Sequence, residues 1–374
     1  MKDIVVFGED FGGLPSSTQH IITRLTKQYR VVWVNSIGLR QPTLSKKDLK
    51  RVVNKCARYI GIKNVNHTPR FSATSHPNLH VVNLMTLPAP RSSILRRCTA
   101  QIMQWQLRRH LKRHGVQAPL FWASLPTAVD VCRGLAKNGI VYYCGDDFGS
   151  LAGVDHATVL EHEADLVEAA DLILVASQAL EEKFPKNKTV TISHGVDCAL
   201  FTNPAPKAND LAGQRQVLGF YGSLSAWLDY ALIASVAEQN PNWDLVFIGP
   251  NEFDHVPLPD RDNIHYLGPR PHHQLPRYSQ HWEASWLPFI NNQQIQACNP
   301  LKLLEYLAAG KPVISTAFPA LAPFADVIHV VQTANEVSDC LKHLDSSHSA
   351  PYIAIQEHSW DHKAQLVEQL VRQL

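Results

Sequence analysis

The sequence predicts an α/β fold with two domains, each built on a parallel, doubly wound sheet. Its 374 residues exceed one ordinary hydrophobic core and suit two domains. Short β-branched runs alternate with helix-length amphipathic segments along the chain. This alternation pauses once, at residues 201–215, where Asn203-Pro204-Ala205-Pro206 and a polar stretch are typical of a linker.

Apolar β-branched runs mark the predicted strands, because strands of a covered parallel sheet are buried on both faces. The first domain has such runs at Ile4–Phe7, Arg30–Asn35, His80–Leu84, Leu120–Trp122, Val141–Tyr143, Leu172–Val175 and Thr189–Ile192. The second has them at Val217–Tyr221, Leu245–Ile248, Ile264–Tyr266, Ser285–Pro288, Val313–Ser315 and Val327–Val331. We therefore expect domains at residues 1–204 and 205–350, followed by a terminal helical segment at 351–374 with one apolar face.

Composition indicates a folded cytoplasmic protein. Hydrophobic residues make up 45% and charged residues 18%, which allows the chain to bury a core throughout. The apolar run Ile4–Phe7 is too short for a signal peptide, and no run long enough to span a bilayer follows. Seven cysteines, an odd number without a CxxC pair, are typical of reduced thiols rather than a disulfide framework.

The formal charge of +2 hides a basic block, since residues 40–113 hold sixteen Lys or Arg and one acid, Asp48. Such a block attracts anionic lipid, lipid diphosphates or nucleic acid, or it is a solvated basic face. Within it, residues 91–113 have the pattern of a basic amphipathic helix. This pattern favours either docking to an anionic membrane, at its inner face, or a core helix with a basic outer surface. No nucleic-acid-binding signature accompanies the block, so we expect no such partner.

The segment NPLKLLEYLAAGKPVI, at 299–314, predicts a loop, a helix and a strand. Pro300 suits the first turn of the helix, and Gly310 suits its end. A helix N-terminus carries unpaired N–H groups and partial positive charge, and Lys302 adds a full charge there. Glu305 follows three residues later, near the same face. We therefore expect a diphosphate to bind at Lys302.

The segment at 299–314 resembles the GT-B-fold glycosyltransferases of the group 1, or family-4-like, set. Four other motifs share the resemblance: FYGSL at 220–224, FIGP at 247–250, YLGPRP at 266–271 and HSW from His358. The resemblance covers the C-terminal half well. It implies two Rossmann-like domains facing across a cleft, with the nucleotide-sugar donor held by the C-terminal domain and the acceptor by the N-terminal one. It also implies that the last helix crosses back to the first domain, and that no metal or bound cofactor is needed.

The same resemblance implies the donor-binding residues. Glu305 takes the role of the glutamate that contacts the ribose, and Lys302 contacts the diphosphate. The remaining expected donor residues are Asn299, Pro300, Leu301, Gly222, Ser223, Arg270 and His194, with Gly12 and Gly13 in a close-approach loop beneath the sugar. The chain departs from the family at Ala297, where relatives have a second glutamate, and at Ser223 and Leu228, where many have cations.

The chain keeps Lys302 but lacks those two cations. In this it resembles the bacterial exopolysaccharide glucuronosyltransferases, which invert the anomeric configuration and therefore need a base. Asp146 and Asp147 follow the predicted strand Val141–Tyr143, at the carboxyl edge where ligands bind in such sheets. We favour Asp147 as the base, with Asp146 as the alternative. Both acids also suit a purely structural role as caps of the next helix.

The sequence thus predicts transfer of a sugar, with a UDP-sugar as the default donor, to a glycan or polyprenyl-linked acceptor in surface polysaccharide or glycolipid biosynthesis. His272-His273 has no acid or cysteine at ligand spacing, so we expect no metal. Two alternatives stay open. A nucleotide-sugar 2-epimerase uses the same fold, and the family departures are also compatible with a non-catalytic nucleotide-sugar binder.

Overall fold

The structure, a computed structural model, describes residues 2–13, 16–37, 76–86, 92–149, 156–211, 215–296, 298, 301–344 and 355–374. The chain divides into two compact units, Met1–Ser193 with Lys363–Leu374, and His194–His362. Each unit contains one parallel sheet with helices between its strands. The predicted α/β fold with two Rossmann-like domains is confirmed.

The first unit is built on a seven-stranded sheet with the order β3-β2-β1-β4-β5-β6-β7. The order reverses its direction of growth between β1 and β4, as in a doubly wound fold. The strands are β1 (Lys2–Phe7), β2 (Tyr29–Val34), β3 (Leu79–Val82), β4 (Leu120–Ala123), β5 (Ile140–Cys144), β6 (Leu172–Val175) and β7 (Thr189–Thr191). Each overlaps a predicted apolar run, so the predictions for this sheet are confirmed.

Five helices of the first unit lie among the described residues. They are α1 (Ser17–Leu25), α2 (Ser93–Arg113), α3 (Val129–Leu135), α4 (His156–Ala169) and α5 (Gln178–Glu181). Ser16 caps α1 by accepting a hydrogen bond from the Gln19 N–H, and Ser177 caps α5 in the same way through Leu180.

The second unit has a six-stranded parallel sheet with the order β10-β9-β8-β11-β12-β13. Its strands also overlap the predicted runs. They are β8 (Gln216–Tyr221), β9 (Trp243–Ile248), β10 (Ile264–Gly268), β11 (Ala284–Leu287), β12 (Val313–Thr316) and β13 (His329–Val331). Gly219 in β8 lies beneath the Trp282 ring, since a Cβ there would come within 1.8 Å of it. Only glycine fits at this point of the core.

The helices that begin in the second unit include the one that carries the predicted diphosphate lysine. They are α6 (Cys198–Thr202), α7 (Tyr230–Gln239), α8 (Pro276–Ser279), α9 (Gln293–Gln296), α10 (Leu301–Ala308), α11 (Ala334–His343) and α12 (Trp360–Val371). Within the described ranges, no helix is both long enough and apolar enough to cross a bilayer.

The compact units divide between Ser193 and His194, before the boundary that the sequence suggests near residue 205. Helix α6 explains the difference, because the fully buried Phe201 belongs to the core of the second unit. Gln280 also donates hydrogen bonds to the carbonyls of Phe201 and Asn203, 2.8 Å each. At the other end, the division falls within α12, since residues up to His362 are assigned to the second unit and those from Lys363 to the first.

Candidate functional site

Lys302 lies in the first turn of α10, against the backbone where β8 ends. A Cβ on Gly222 would come within 2.3 Å of the Lys302 Cε atom and 3.1 Å of Nζ, and Gly222 has φ +152°. Glycine at 222 therefore lets the lysine reach the carboxyl end of the strand. Burial lowers the pKa of Lys302, although the nearby groups of Cys298, Glu305 and Glu252 act in the opposite direction. No acid in the described part of the chain lies within ion-pairing distance of this ammonium group, which suits it to an anionic ligand.

Glu305 lies on the same helix and accepts a hydrogen bond from His272, with 2.6 Å between Oε1 and Nε2. Its side chain is only 12% exposed. The ring of His272 is fixed edge-on by Phe201, 5.5 Å between centroids. Next to this pair lies the buried hydroxyl of Tyr221, which makes no hydrogen bond of standard geometry with the described residues. Burial, and then the Glu305 carboxylate, raise the pKa of Tyr221. Sequence reasoning considered His272 only as a metal ligand and missed this contact.

The end of β8 also explains one of the family departures. Leu228 is buried and forms an antiparallel bridge with Phe289, so this position belongs to the core. Ser223 follows Gly222 in the loop and is partly exposed, as is Leu301 at the start of α10. The predicted residues Asn299 and Pro300, and the departure Ala297, lie outside the described residues.

Arg270 and His194 have different surroundings. The Arg270 guanidinium pairs with Asp210 at 2.6 Å and donates to the Tyr278 hydroxyl at 3.0 Å, an arrangement that supports a structural role. His194 begins the second unit, and burial lowers its pKa to about 4, so its ring is neutral at pH 7 although partly accessible. Whether either contacts a donor stays a prediction.

Loops after β1 and β5 lie near each other in the first unit, since only β4 separates these strands. In the first loop, Gly12 has φ +80° and donates its N–H to Gln19 Oε1 at 3.1 Å. The Gly13 N–H donates to the Asp10 carbonyl at 3.0 Å and closes a turn. Glu9 accepts hydrogen bonds from Ser16 and, at 2.9 Å, from Gln19. These hydrogen bonds tie residues 9–13 to Ser16 and Gln19, and the segment contributes a carboxylate, Glu9, that sequence reasoning did not select.

Asp146 and Asp147, the two acids that follow β5, have different surroundings. Asp147 accepts a hydrogen bond from the Gly149 N–H at 2.9 Å and forms an ion pair with Lys183. Asp146 makes no side-chain hydrogen bond or ion pair with the described residues and is exposed, while the protein around it raises its pKa through desolvation. The favoured residue, Asp147, is thus held by two contacts and the alternative, Asp146, is not, and which of them acts as a base stays a prediction.

Beside Asp146, at the end of β5, lies the buried Tyr143. Its ring stacks on Trp122 at 5.6 Å, and its hydroxyl makes no hydrogen bond of standard geometry in the described part of the chain. Burial is the main cause of its raised pKa; the interaction with Ser17 acts in the opposite direction, and the carboxylates of Asp146 and Glu9 add to the rise. This edge of the first sheet therefore combines two carboxylates with a buried phenol, a set that can bind hydroxyl groups. Over the described ranges, no three His, Cys, Asp or Glu residues come together as a metal site.

Helix α2 has two apolar faces. One packs into the first unit through Ala100, Met103, Leu107 and Leu111. The other faces solvent and includes Ile94, which is 71% exposed, and Trp105, which is 57% exposed, together with Leu95 and Ile102. Arg109 lies over the Trp105 ring, 4.9 Å from its centroid. Arg96 differs from the other cations of the helix, because it pairs with Asp130 at 2.7 Å and with Asp165 and Glu161.

Comparisons with known proteins agree with this arrangement. Residues 215–342 match a family model described as "Glycosyl transferases group 1". A curated relative from Bacillus subtilis, "Putative teichuronic acid biosynthesis glycosyltransferase TuaH", is 29% identical over 202 residues. This match spans 48% of the present chain and 51% of the relative, about half of each protein.

Solved structures share the architecture over the whole length. Anabaena HepE in complex with UDP and glucose superimposes with a TM-score of 0.67 at 13% identity, covering 100% of both chains. Sucrose-phosphate synthase from Thermosynechococcus elongatus gives a TM-score of 0.68 at 15% identity, covering 100% of the present chain and 99% of that one. At such identities the likeness shows the fold.

Proposed function

We propose that the chain transfers a sugar from a nucleotide-sugar donor to a glycan or lipid-linked acceptor, because residues 215–342 match the family model of the group 1 glycosyl transferases. The observation that carries this proposal is Lys302, an ammonium group without an acidic partner in the described residues, at the N-terminal turn of α10 with Glu305 one turn further. A nucleoside diphosphate supplies both the anion for Lys302 and hydroxyl groups for Glu305.

In the proposed reaction, the exposed carboxylate of Asp146 removes the proton from an acceptor hydroxyl. The acceptor oxygen forms a bond to the anomeric carbon of the donor as the bond from that carbon to the diphosphate oxygen breaks. The electron pair leaves with the nucleoside diphosphate, whose growing charge Lys302 and the N-terminus of α10 stabilise. Attack from the opposite face inverts the anomeric configuration. We assign the acceptor to the first unit and the donor to the second.

We propose UDP as the nucleotide and a surface polysaccharide or glycolipid as the product. The complexes of HepE contain UDP and glucose or UDP-glucose, and the name of the Bacillus relative refers to teichuronic acid, a polysaccharide. These properties belong to those proteins, and they support the proposal here only through the shared fold and the matching domain. Asp146 as the base and Gly12 and Gly13 as close backbone near the sugar are part of the same proposal.

We further propose that the outward face of α2 holds the enzyme on an anionic membrane, where a polyprenyl-linked acceptor would reside. Ile94, Leu95, Ile102 and Trp105 form an exposed apolar stripe. It is flanked by Arg97, Arg108, Arg109, Lys112 and Arg113, all exposed, and the helix contains no acid. Apolar side chains that enter the headgroup layer beside cations that attract anionic lipid make a peripheral contact.

Co-sedimentation with vesicles of anionic or zwitterionic lipid tests this contact. We expect the protein to bind anionic vesicles only, and to bind them less as salt is added. Binding should be lost in a triple variant with Arg97, Arg108 and Arg109 changed to Gln, and also in the single variant Trp105→Ser. A variant with Lys137, Lys186 and Lys207 changed to Gln removes the same charge elsewhere and should bind normally. Equal loss in both triple variants would contradict a specific face.

Glycosyl transfer itself is tested by incubating the chain with UDP-sugars and polyprenyl-diphosphate-linked glycans. Released UDP is measured together with the mass of the glycan. An acceptor heavier by one sugar residue, absent with Asp146→Asn, supports the proposal. Isomerisation of the donor without acceptor would indicate an epimerase, and tight donor binding without turnover across acceptors would indicate a non-catalytic binder. Either of these results would overturn it.

A further inference from the structure

We infer that His272 is a positioning residue that orients Glu305 toward the sugar hydroxyls of a bound nucleotide, a role that rests on the proposed function. His272 follows β10 and opens a short 3₁₀ turn at His272–Gln274. It therefore reaches Glu305 from a separate segment of the second unit. The 2.6 Å hydrogen bond between Nε2 and Oε1 needs only the neutral ring with its proton on Nε2.

The carboxylate of Glu305 needs such a partner. It is largely buried, and a buried carboxylate without hydrogen bonds is costly. His272 donates to one oxygen, Oε1, and its own ring is fixed against Phe201. This contact fixes the direction of the carboxylate, and we infer that its second oxygen, near the Tyr221 hydroxyl, accepts from a ligand hydroxyl. A glutamate that is already held in this way loses little side-chain entropy when it binds a ligand.

The Tyr221 hydroxyl, beside Glu305, is a second observation that points to a ligand. It is buried and makes no hydrogen bond of standard geometry with the described residues, although it interacts with the Glu305 carboxylate. It lies close enough for the Glu305 carboxylate to affect its pKa. A vicinal diol, as in a ribose, donates to a carboxylate with one hydroxyl and accepts from a phenol with the other. The cluster His272, Glu305 and Tyr221 therefore matches a ribonucleotide better than its deoxy analogue.

The alternative is that His272 and Glu305 form an ion pair that only stabilises the fold. Calorimetric titration with UDP and with 2′,3′-dideoxy-UDP separates the two roles. We expect the wild type to prefer UDP and His272→Leu to lose roughly tenfold in UDP affinity with little change for the dideoxy analogue. His272→Gln, which keeps an N–H donor, should recover part of the preference. Glu305→Gln should abolish the preference for UDP over the dideoxy analogue. Adding His272→Leu to Glu305→Gln should lower the affinity for UDP no further.

Equal weakening of both nucleotides in His272→Leu, or an unchanged preference, would overturn the positioning role while leaving the proposed function intact. Failure of the wild type to bind UDP, GDP or ADP would instead remove the proposed function, and this inference with it. Melting curves of each variant show whether it folds. If His272→Leu does not fold, the comparison of His272→Gln with the wild type decides, since a displaced amide donor should still reduce the preference for UDP.

Discussion

Lys183 forms an ion pair with Asp147, whereas the neighbouring Asp146 remains exposed and without a side-chain partner among the described residues. Consecutive acids in one loop therefore have different surroundings. Asp147 contacts Lys183 and the Gly149 N–H, and Asp146 lies beside Tyr143, so we propose a structural role for the first and a catalytic role for the second.

Substitution of each acid by its amide tests this division. We expect Asp146→Asn to lower turnover by about 10² to 10⁴, the usual contribution of a general base, while nucleotide affinity is retained. Asp147→Asn should keep most of the turnover, because the amide oxygen still accepts from Gly149. Steady-state kinetics and calorimetry measure both effects. Full activity in Asp146→Asn together with an inactive, well-folded Asp147→Asn would reverse the assignment.

The acid limb of activity should follow Asp146. A general base acts in its ionised form, and desolvation raises the pKa of Asp146 above the usual value of about 3.9. As the pH falls through that raised pKa, kcat/KM should therefore decline while the protein is still folded. A pH profile with melting curves at each pH measures this. Activity that stays constant down to about pH 4 would contradict a base with a raised pKa.

Gly222→Ala should weaken donor binding through Lys302. The new methyl group would lie 2.3 Å from Lys302 Cε, and φ +152° is unfavourable for alanine. The lysine must then move away from the end of β8, which should cost roughly tenfold or more in nucleotide affinity. Calorimetry with UDP tests this, with Lys207→Ala as a control at an exposed lysine of the same unit. Normal affinity in Gly222→Ala would place the diphosphate elsewhere.

Arg96 should matter for stability rather than for lipid binding. Burial acts to raise the pKa of Asp130, but hydrogen bonds from His162 and Arg96 outweigh it and leave the pKa lowered. The pair therefore stabilises the fold above the unfolded pKa of about 3.9, and this contribution is lost as the pH falls through the lower folded value. Arg96→Met, which leaves Asp130 without its cation, should cost about 3 kcal/mol at neutral pH in urea unfolding.

The exposed neighbour provides the matched control for that experiment. Arg97 has no ion pair in the described residues, so Arg97→Met should change stability by less than about 0.5 kcal/mol. Equal stability of the two variants would contradict the role of Arg96.

The sequence was sufficient to predict both sheets, because the strands of a covered parallel sheet are continuous apolar runs that need no knowledge of their neighbours. Helix α10 and Lys302 were predictable for a similar reason, since the proline, the lysine and the terminal glycine lie within one short segment. Features that depend on local sequence could therefore be predicted without the structure.

Contacts between distant segments were not predictable in this way. The choice between Asp146 and Asp147 depends on Lys183, which lies in the connection between α5 and β7. Likewise, His272 and Glu305 meet only because β10 and α10 belong to one unit, and Arg96 differs from Arg97 only through acids on α3 and α4. The segment at 38–75, with much of the basic block, lies outside the described residues.

Calorimetric titration of the wild-type chain and Lys302→Ala with UDP, GDP, dTDP, CMP and their sugar conjugates is the decisive test of a donor site at Lys302. We expect one nucleotide and its sugar conjugates to bind selectively, and Lys302→Ala to weaken this binding by roughly tenfold or more without lowering the melting temperature. Absence of binding across the whole panel, or equal affinity in the lysine variant, would contradict a donor site at Lys302.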